Sequence, residues 1–116
     1  MAEMGPYPAI VRDWHDGDTC HMDIDIGFGN IEAAYDLDGR PRLSCRIYGI
    51  NAPELSTQAG KDALVYAKSL CPSGTKVIVL SHGWDKYGGR FDGQIQLPDG
   101  RDYGQVMIDS GHAVAI

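Results

Sequence analysis

One long helical pattern interrupts a sequence in which most other segments have the features of strands. Ser56 or Thr57 is suited to cap this helix, because a hydroxyl oxygen accepts a hydrogen bond from the first turn. Apolar residues then recur at helical spacing, namely Ala63, Leu64, Ala67, Leu70 and Cys71. The segment Pro72-Ser73-Gly74 ends the pattern, so the helix separates an earlier group of strands from a later one.

Alternation of apolar and polar residues predicts the strands on either side of this helix. They are expected at residues 7–14, 18–26, 43–50, 76–81 and 90–97, with a brief strand after residue 111. The strand at 76–81 is apolar on both faces and is expected to be fully buried. Residues 27–40, rich in glycine and aspartate, predict an extended hairpin or loop. Asp102 is expected to cap a short helix at 103–109.

This order of elements predicts a β-rich α+β fold, a five-stranded OB-type barrel with one main helix and a short C-terminal helix. An α+β sandwich is the alternative. With 116 residues, of which 43% are hydrophobic, the sequence is long enough for one core and too short for two. We therefore expect residues 1–116 to form a single domain, and we expect a monomer.

Hydropathy and the cysteines indicate the compartment. The sequence has no apolar run of bilayer length and no N-terminal basic segment followed by an apolar stretch, so we expect a cytoplasmic protein without a membrane partner. Cys20, Cys45 and Cys71 are odd in number and lack the close spacing of a zinc site, which argues against a disulfide framework and a zinc centre. They are expected to be small buried side chains.

Charge is distributed unevenly along the chain. Residues 1–40 carry nine acidic side chains against two arginines, whereas the formal net charge of the whole sequence is -6. This balance argues against tight nonspecific binding of nucleic acid through bulk positive charge, because that mode needs many lysines and arginines. An anionic substrate must therefore be bound locally, and we expect a metal to take part.

The segment from Arg46 to Glu54 is the strongest candidate for a site. Pro53 fixes its own φ and moves Ala52 out of the α region, so the preceding strand stops at a stiff turn. Asn51 and Glu54 then place oxygen-bearing side chains close to the Arg46 guanidinium. The alternative interpretation is a solvated strand end with ordinary surface residues.

Two further segments carry candidate residues. Asp16-Gly17-Asp18 is a turn whose last carboxylate begins the apolar face of the second strand, Asp18, Cys20, Met22, Ile24 and Ile26. A carboxylate at the mouth of a buried face favours a metal or a cap, and a plain turn is the alternative. Residues 84–90 form a glycine-containing loop with two cations and two aromatic side chains, or else a simple hairpin.

Four segments occur in a recognisable order: Asp16-Gly17-Asp18-Thr19, residues 46–54, residues 85–90, and Asp109-Ser110-Gly111-His112-Ala113. In these segments the chain resembles the staphylococcal (thermonuclease-like) nuclease family, and the resemblance covers nearly the whole sequence from about Ile10. The hairpin at 25–42 and the Gly-Phe-Gly after Ile26 look most like the phage and prophage branch, for which the location is the host cytoplasm. The resemblance implies an OB barrel and a calcium-dependent phosphodiesterase that cuts DNA and RNA, single-stranded DNA preferentially, to leave 3′-phosphate ends.

The resemblance also assigns metal ligands. Asp18 matches the family's first calcium carboxylate, Asn51 stands where the second usually lies, and Ala52 is expected to offer its backbone carbonyl. Asp16 is expected to lie behind these ligands and to support them. Asn51 departs from the family pattern, because it replaces an anionic ligand with a neutral amide.

The remaining matches concern the substrate. Glu54 matches the residue that activates the attacking water, and Arg46 and Arg90 match the arginines that hold the phosphate. Lys86 and Tyr87 match contacts to a terminal phosphate. An extra glycine lies before Arg90 relative to the family spacing. This extra glycine and Asn51 are the reasons for a second hypothesis, namely a weak or inactive barrel that binds nucleic acid or a protein partner.

Overall fold

A computed structural model describes residues 4–84 and 89–116 of this chain. Its strands are β1 (Met4–Asp16), β2 (Thr19–Gly27), β3 (Asn30–Glu32), β4 (Ser44–Ile47), β5 (Ile50–Asn51), β6 (Lys76–Trp84), β7 (Arg90–Gln96) and β8 (Val114–Ala115). Its helices are α1 (Gln58–Leu70) and α2 (Tyr103–Asp109). Among the described residues, no helix combines the length and apolar character needed to cross a membrane.

Five of the strands close into a barrel. Strands β1, β6, β7, β4 and β2 are hydrogen bonded side by side in that order, and β1 also pairs with β2. The β4–β7 pairing is parallel, and the other pairings around the barrel are antiparallel. Strand β3 extends β2 outward as a hairpin, and β5 pairs with β8 in a separate small sheet. This is the predicted OB-type barrel with two helices.

Both helices begin at the predicted caps. The Thr57 hydroxyl accepts a 3.0 Å hydrogen bond from the Gly60 amide, and the Asp102 carboxylate accepts a 2.9 Å bond from the Gln105 amide. Such bonds satisfy amides that have no partner within the helix. The α1 helix lies against β1 with Ala63 and other small side chains, so the helix reaches the barrel wall closely.

The barrel is filled by apolar side chains. Those that are fully buried include Tyr103, Met22, Ile47, Ile95, Met107, Val11, Val79, Cys20, Cys45 and Cys71. The three cysteines are thus buried, as predicted, and burial raises the pKa of the Cys71 thiol to about 11. A thiol with that pKa stays protonated near neutral pH, which suits a packing role.

The predicted strand at 43–50 is wrong in its extent, because β4 ends at Ile47 and a turn separates it from β5. Gly49 adopts φ 84° in this turn, a conformation that glycine reaches without strain. A Cβ atom at Gly49 would meet no neighbour within 4 Å, so backbone conformation rather than close approach explains the glycine. The Arg46 guanidinium bonds to the carbonyls of both strand ends and thereby holds the turn.

Two burial predictions are also corrected. Ile26 was expected on the buried face of β2 but is 46% exposed, because β2 continues beyond the barrel into the hairpin with β3. The strand at 76–81 was expected to be buried on both faces. Within residues 76–81 only Val77 and Val79 are buried, and Ile78 and Leu80 lie on the partly exposed outer face.

Candidate active site

The turn between β1 and β2 places Asp18 in a partly closed environment. Its Oδ2 accepts a 2.8 Å hydrogen bond from the Ala52 amide, and its Oδ1 lies 3.3 Å from the donating Thr19 hydroxyl. The Asp16 carboxylate accepts a 3.1 Å bond from the Asp18 amide. Asp18 is only 9% exposed, so its carboxylate is oriented by the protein rather than by solvent.

The two carboxyl groups of this turn influence one another. Burial raises the pKa of Asp18 above its usual range, and the hydrogen bond and negative charge of Asp16 raise it further. The Ala52 amide and the Arg46 guanidinium act in the opposite direction. Two close carboxyl groups ionise together at a cost unless a positive charge joins them. The turn is therefore a suitable place for a cation.

Arg46 connects β4, the turn and β5 to this carboxylate. Its Nη1 donates to the carbonyl oxygens of Ile47 at 2.8 Å and Ile50 at 2.9 Å. Its Nη2 donates to Asn51 Oδ1 at 2.5 Å and lies 3.6 Å from Asp18 Oδ2. The structure thus brings Asp18, Arg46 and Asn51 into one polar network. The expected approach of the Glu54 carboxylate to Arg46 stays a prediction.

Asn51 and Ala52 enter this network from β5 and the residue after it. Asn51 pairs with Val114 of β8, and its exposed side chain turns its Oδ1 to Arg46. Ala52 contributes its amide to Asp18, whereas the role predicted for its carbonyl stays a prediction. The β5–β8 pairing therefore fixes the backbone from which both residues extend.

Glu54 is exposed, and its backbone is held at the start of α1. Its carbonyl oxygen accepts a 2.7 Å bond from the Thr57 hydroxyl and a 3.0 Å bond from the Thr57 amide. A Cβ atom on Gly60 would lie 1.9 Å from the same carbonyl oxygen. Gly60 is a residue that our sequence reasoning missed. The available signal was a glycine inside a helical pattern, which is unfavourable unless close packing requires it.

Arg90 begins β7 and lines the same cavity as Arg46. This cavity has a volume of about 460 Å³ and is also lined by Ile47, Tyr48, Gly49, Asp92 and Ile116. Parallel pairing of β4 with β7 sets Arg90 opposite Ser44 and Asp92 opposite Arg46. The structure therefore joins the two predicted phosphate-binding arginines, and it adds Asp92, which the sequence did not single out. Lys86 and Tyr87 lie outside the described residues.

Side chains of the protein interior pack against the Asp16-Gly17-Asp18 turn. A Cβ atom on Gly17 would lie 2.9 Å from the Ala52 side chain and 3.1 Å from the Ala63 side chain. The buried Tyr103 hydroxyl donates a 2.7 Å bond to the Gly17 carbonyl oxygen. Helix α1 and helix α2 thus both support the turn that carries Asp18. Sequence reasoning treated this glycine only as a turn former.

The oxygen atoms near this turn suit a hard cation such as calcium, which takes about six to eight oxygen ligands. Asp16 and Asp18 supply carboxylates, and Asn51 supplies an amide oxygen. Residues 4–84 and 89–116 contain no group of three or more His, Cys, Asp or Glu side chains arranged to hold a metal. The oxygens of Asp16, Asp18 and Asn51 are the donors that the described residues offer to a hard cation at this turn.

Comparison with known proteins gives relatives that carry an activity in their names. No family model matches the chain. Two proteins named "Uncharacterized endonuclease", from Escherichia coli O157:H7 and from Escherichia coli, are each 35% identical to it over 114 residues. Each alignment covers 92% of this chain and 64% of the relative, so the chain spans less than two thirds of their length. Over nearly all of its own sequence, this chain is therefore similar to two proteins named as endonucleases.

Proposed function

We propose that this chain is an endonuclease of the staphylococcal nuclease type that hydrolyses phosphodiester bonds of DNA and RNA with calcium and leaves 3′-phosphate products. The observation that carries the proposal is the network that joins Asp18, Arg46 and Asn51 beside a cavity shared with Arg90. The similarity to two proteins named as endonucleases supports the same class of reaction.

The metal would be held by Asp18, Asn51 and the Ala52 carbonyl, with Asp16 supporting Asp18. A bound calcium ion supplies positive charge that offsets the negative charge of a phosphodiester. The chain itself supplies a carboxylate that is already oriented. Asp18 is held by the Ala52 amide and Thr19 hydroxyl, so ion binding needs little rearrangement of its carboxylate.

Arg46 is suited to a phosphate as well as to its structural role. Hydrogen bonds to other described residues use three of its five N–H groups, and Nη2 also lies 3.6 Å from Asp18 Oδ2, so the Nε–H group is the one that can meet a phosphate oxygen without dismantling the turn. Arg90 reaches the same cavity from β7. Two guanidinium groups stabilise the charge that builds on phosphate oxygens in the transition state more than the charge of the ground state.

Glu54 is the proposed general base. A nearby carboxylate can orient and deprotonate the attacking water at neutral pH. Its side chain is exposed and extends from a backbone that Thr57 bonds and Gly60 packs against, so the base starts from an anchored backbone position. This arrangement favours a rigid site over one that must fold around its substrate.

The proposal is tested by incubating the purified protein with single-stranded DNA in calcium and identifying the product ends. We expect 3′-phosphate ends, and we expect Glu54→Gln to lower turnover by about 10²- to 10⁴-fold with unchanged thermal stability. Glu32→Gln, on the β2–β3 hairpin, is the control and should cleave as the wild type does. A protein that retards DNA on a gel but never cleaves it would instead be a binding module.

A further inference from the structure

Tyr48 presents an aromatic ring at the cavity that the two arginines share. The residue occupies the turn between β4 and β5, lines this cavity of about 460 Å³ with Arg46 and Arg90, and is 54% exposed. An exposed tyrosine alone is an ordinary surface feature. Tyr48 differs because it lies beside two guanidinium groups, which attract anionic ligands such as a phosphate.

The ring of Tyr48 is held in one orientation. It stacks on His82 of β6 with ring centroids 4.0 Å apart and planes 9° apart. The Tyr48 amide donates a 2.8 Å bond to the Gly93 carbonyl oxygen, and His82 Nε2 lies 2.9 Å from Gln94 Oε1. One face of the ring is thus covered by the histidine, and the 54% exposure of the residue indicates that the opposite face is accessible.

Other aromatic pairs in the described residues show why Tyr48 differs. Trp14 and Tyr103 also stack, with centroids 4.6 Å apart, but these residues are 3% and 0% exposed and belong to the core. Tyr35 tilts against His21 at 5.6 Å and Tyr66 stacks on His112 at 4.5 Å, and neither tyrosine lines the arginine cavity. Tyr48 therefore combines a fixed ring, an exposed face and adjacent cationic groups.

We propose that the exposed face of Tyr48 is a stacking platform for the nucleobase next to the phosphate that Arg46 and Arg90 hold. This inference rests on the proposed function and names the substrate class of that site. A base can stack on tyrosine only when it has left the duplex, so the platform selects single-stranded nucleic acid. Every base has an aromatic face, so the selection is for strandedness rather than for sequence.

The test measures binding separately from cleavage. A short single-stranded oligonucleotide carrying 2-aminopurine, whose fluorescence falls when the base stacks, is made with phosphorothioate linkages that keep the charge and resist hydrolysis. It is titrated with wild-type protein in calcium. We expect quenching by the wild type, and we expect Tyr48→Leu to weaken binding by about 5- to 100-fold and to remove the quenching.

Two further variants separate stacking from folding. Tyr48→Trp, which keeps an aromatic face, should quench at least as strongly as the wild type. Tyr35→Leu removes a tyrosine beside a histidine outside the arginine cavity and should bind as the wild type does. The same oligonucleotide in a duplex should bind Tyr48→Leu and wild type with equal affinity.

The outcomes distinguish this inference from the proposed function. Equal quenching and affinity for wild type and Tyr48→Leu would overturn the platform, as would the absence of any binding by the wild type. Tyr48-dependent quenching in a protein that never cleaves an ordinary oligonucleotide would overturn the nuclease and support the platform. Cleavage at an equal rate by wild type and Tyr48→Leu would overturn the platform and support the nuclease.

Discussion

The phenolic hydroxyl of Tyr103 donates a 2.7 Å hydrogen bond to the carbonyl oxygen of Gly17, across 86 positions of sequence. Gly17 lies between the two aspartates of the proposed metal turn, and Tyr103 opens helix α2. Burial raises the pKa of Tyr103 well above its usual value, so the phenol stays a hydrogen-bond donor across the working pH range. The barrel core and the candidate site are therefore joined by one buried bond.

Tyr103→Phe removes this bond while keeping the ring that stacks on Trp14. We expect a loss of about 1–3 kcal/mol in the free energy of unfolding, because the buried Gly17 carbonyl loses its partner. Half-maximal activation should also move to higher calcium, since the turn that carries Asp18 loses its support. Urea unfolding and calcium titrations of cleavage measure both effects. Tyr35→Phe, a tyrosine outside this contact, is the control and should change neither.

Gly60→Ala tests the contact that seats Glu54. Replacing glycine by alanine inside a helix ordinarily adds about 1 kcal/mol of stability. Here the new Cβ would lie 1.9 Å from the Glu54 carbonyl oxygen, so we expect a loss of stability and of turnover. Thermal unfolding and steady-state cleavage report the two effects. Lys61→Ala, at the neighbouring and exposed position of the helix, is the control and should change neither stability nor turnover. A stabilised, fully active Gly60→Ala would show that the protein relaxes around the new Cβ.

Local signals explain what the sequence predicted well. The caps at Thr57 and Asp102 are bonds between residues three positions apart, and the alternation in β2 reports one buried face directly. The barrel followed from the order of such elements. The break after Ile47 was missed because it depends on hydrogen bonds from Arg46 to two carbonyls, and the alternation of apolar and polar residues does not encode such contacts.

Some contacts of the candidate site followed from the sequence, whereas the roles of its residues stay predictions. Residues close in sequence, such as Arg46 and Asn51, were correctly expected to meet. The support from Gly60 and Tyr103 was not predicted, because a glycine or a tyrosine in a helical pattern does not indicate which backbone segment it contacts. The stacking of Tyr48 on His82 joins separate strands and was equally hidden.

Arg46→Lys is expected to be more damaging than Arg90→Lys. A lysine ammonium cannot bond the Ile47 and Ile50 carbonyls and a phosphate in the planar geometry of a guanidinium, so both the turn and the transition state lose stabilisation. We expect turnover to fall by about 10²-fold or more for Arg46→Lys. Arg101→Lys, an exposed residue paired with Asp99, is the control. Equal, small losses for all three variants would remove the arginines from catalysis.

Asn51→Asp tests the neutral residue in the proposed ligand set. Ligand charge helps to set calcium affinity, so an added carboxylate beside Asp18 should shift half-maximal activation to lower calcium. The substitution keeps an oxygen that can accept from Arg46, so the turn should survive. Cleavage rates across a calcium series give the result. A calcium curve that does not move would show that position 51 is not a ligand.

The most direct test of the calcium site is the rate of single-stranded DNA cleavage as a function of calcium concentration for wild type and Asp18→Asn. Asp18→Asn keeps an oxygen for the Ala52 amide and removes the charge that the ion needs. We predict saturable activation of the wild type, no cleavage in excess chelator, and a curve for Asp18→Asn displaced to at least about tenfold higher calcium. Wild-type cleavage at the same rate in calcium and in chelator would contradict the account.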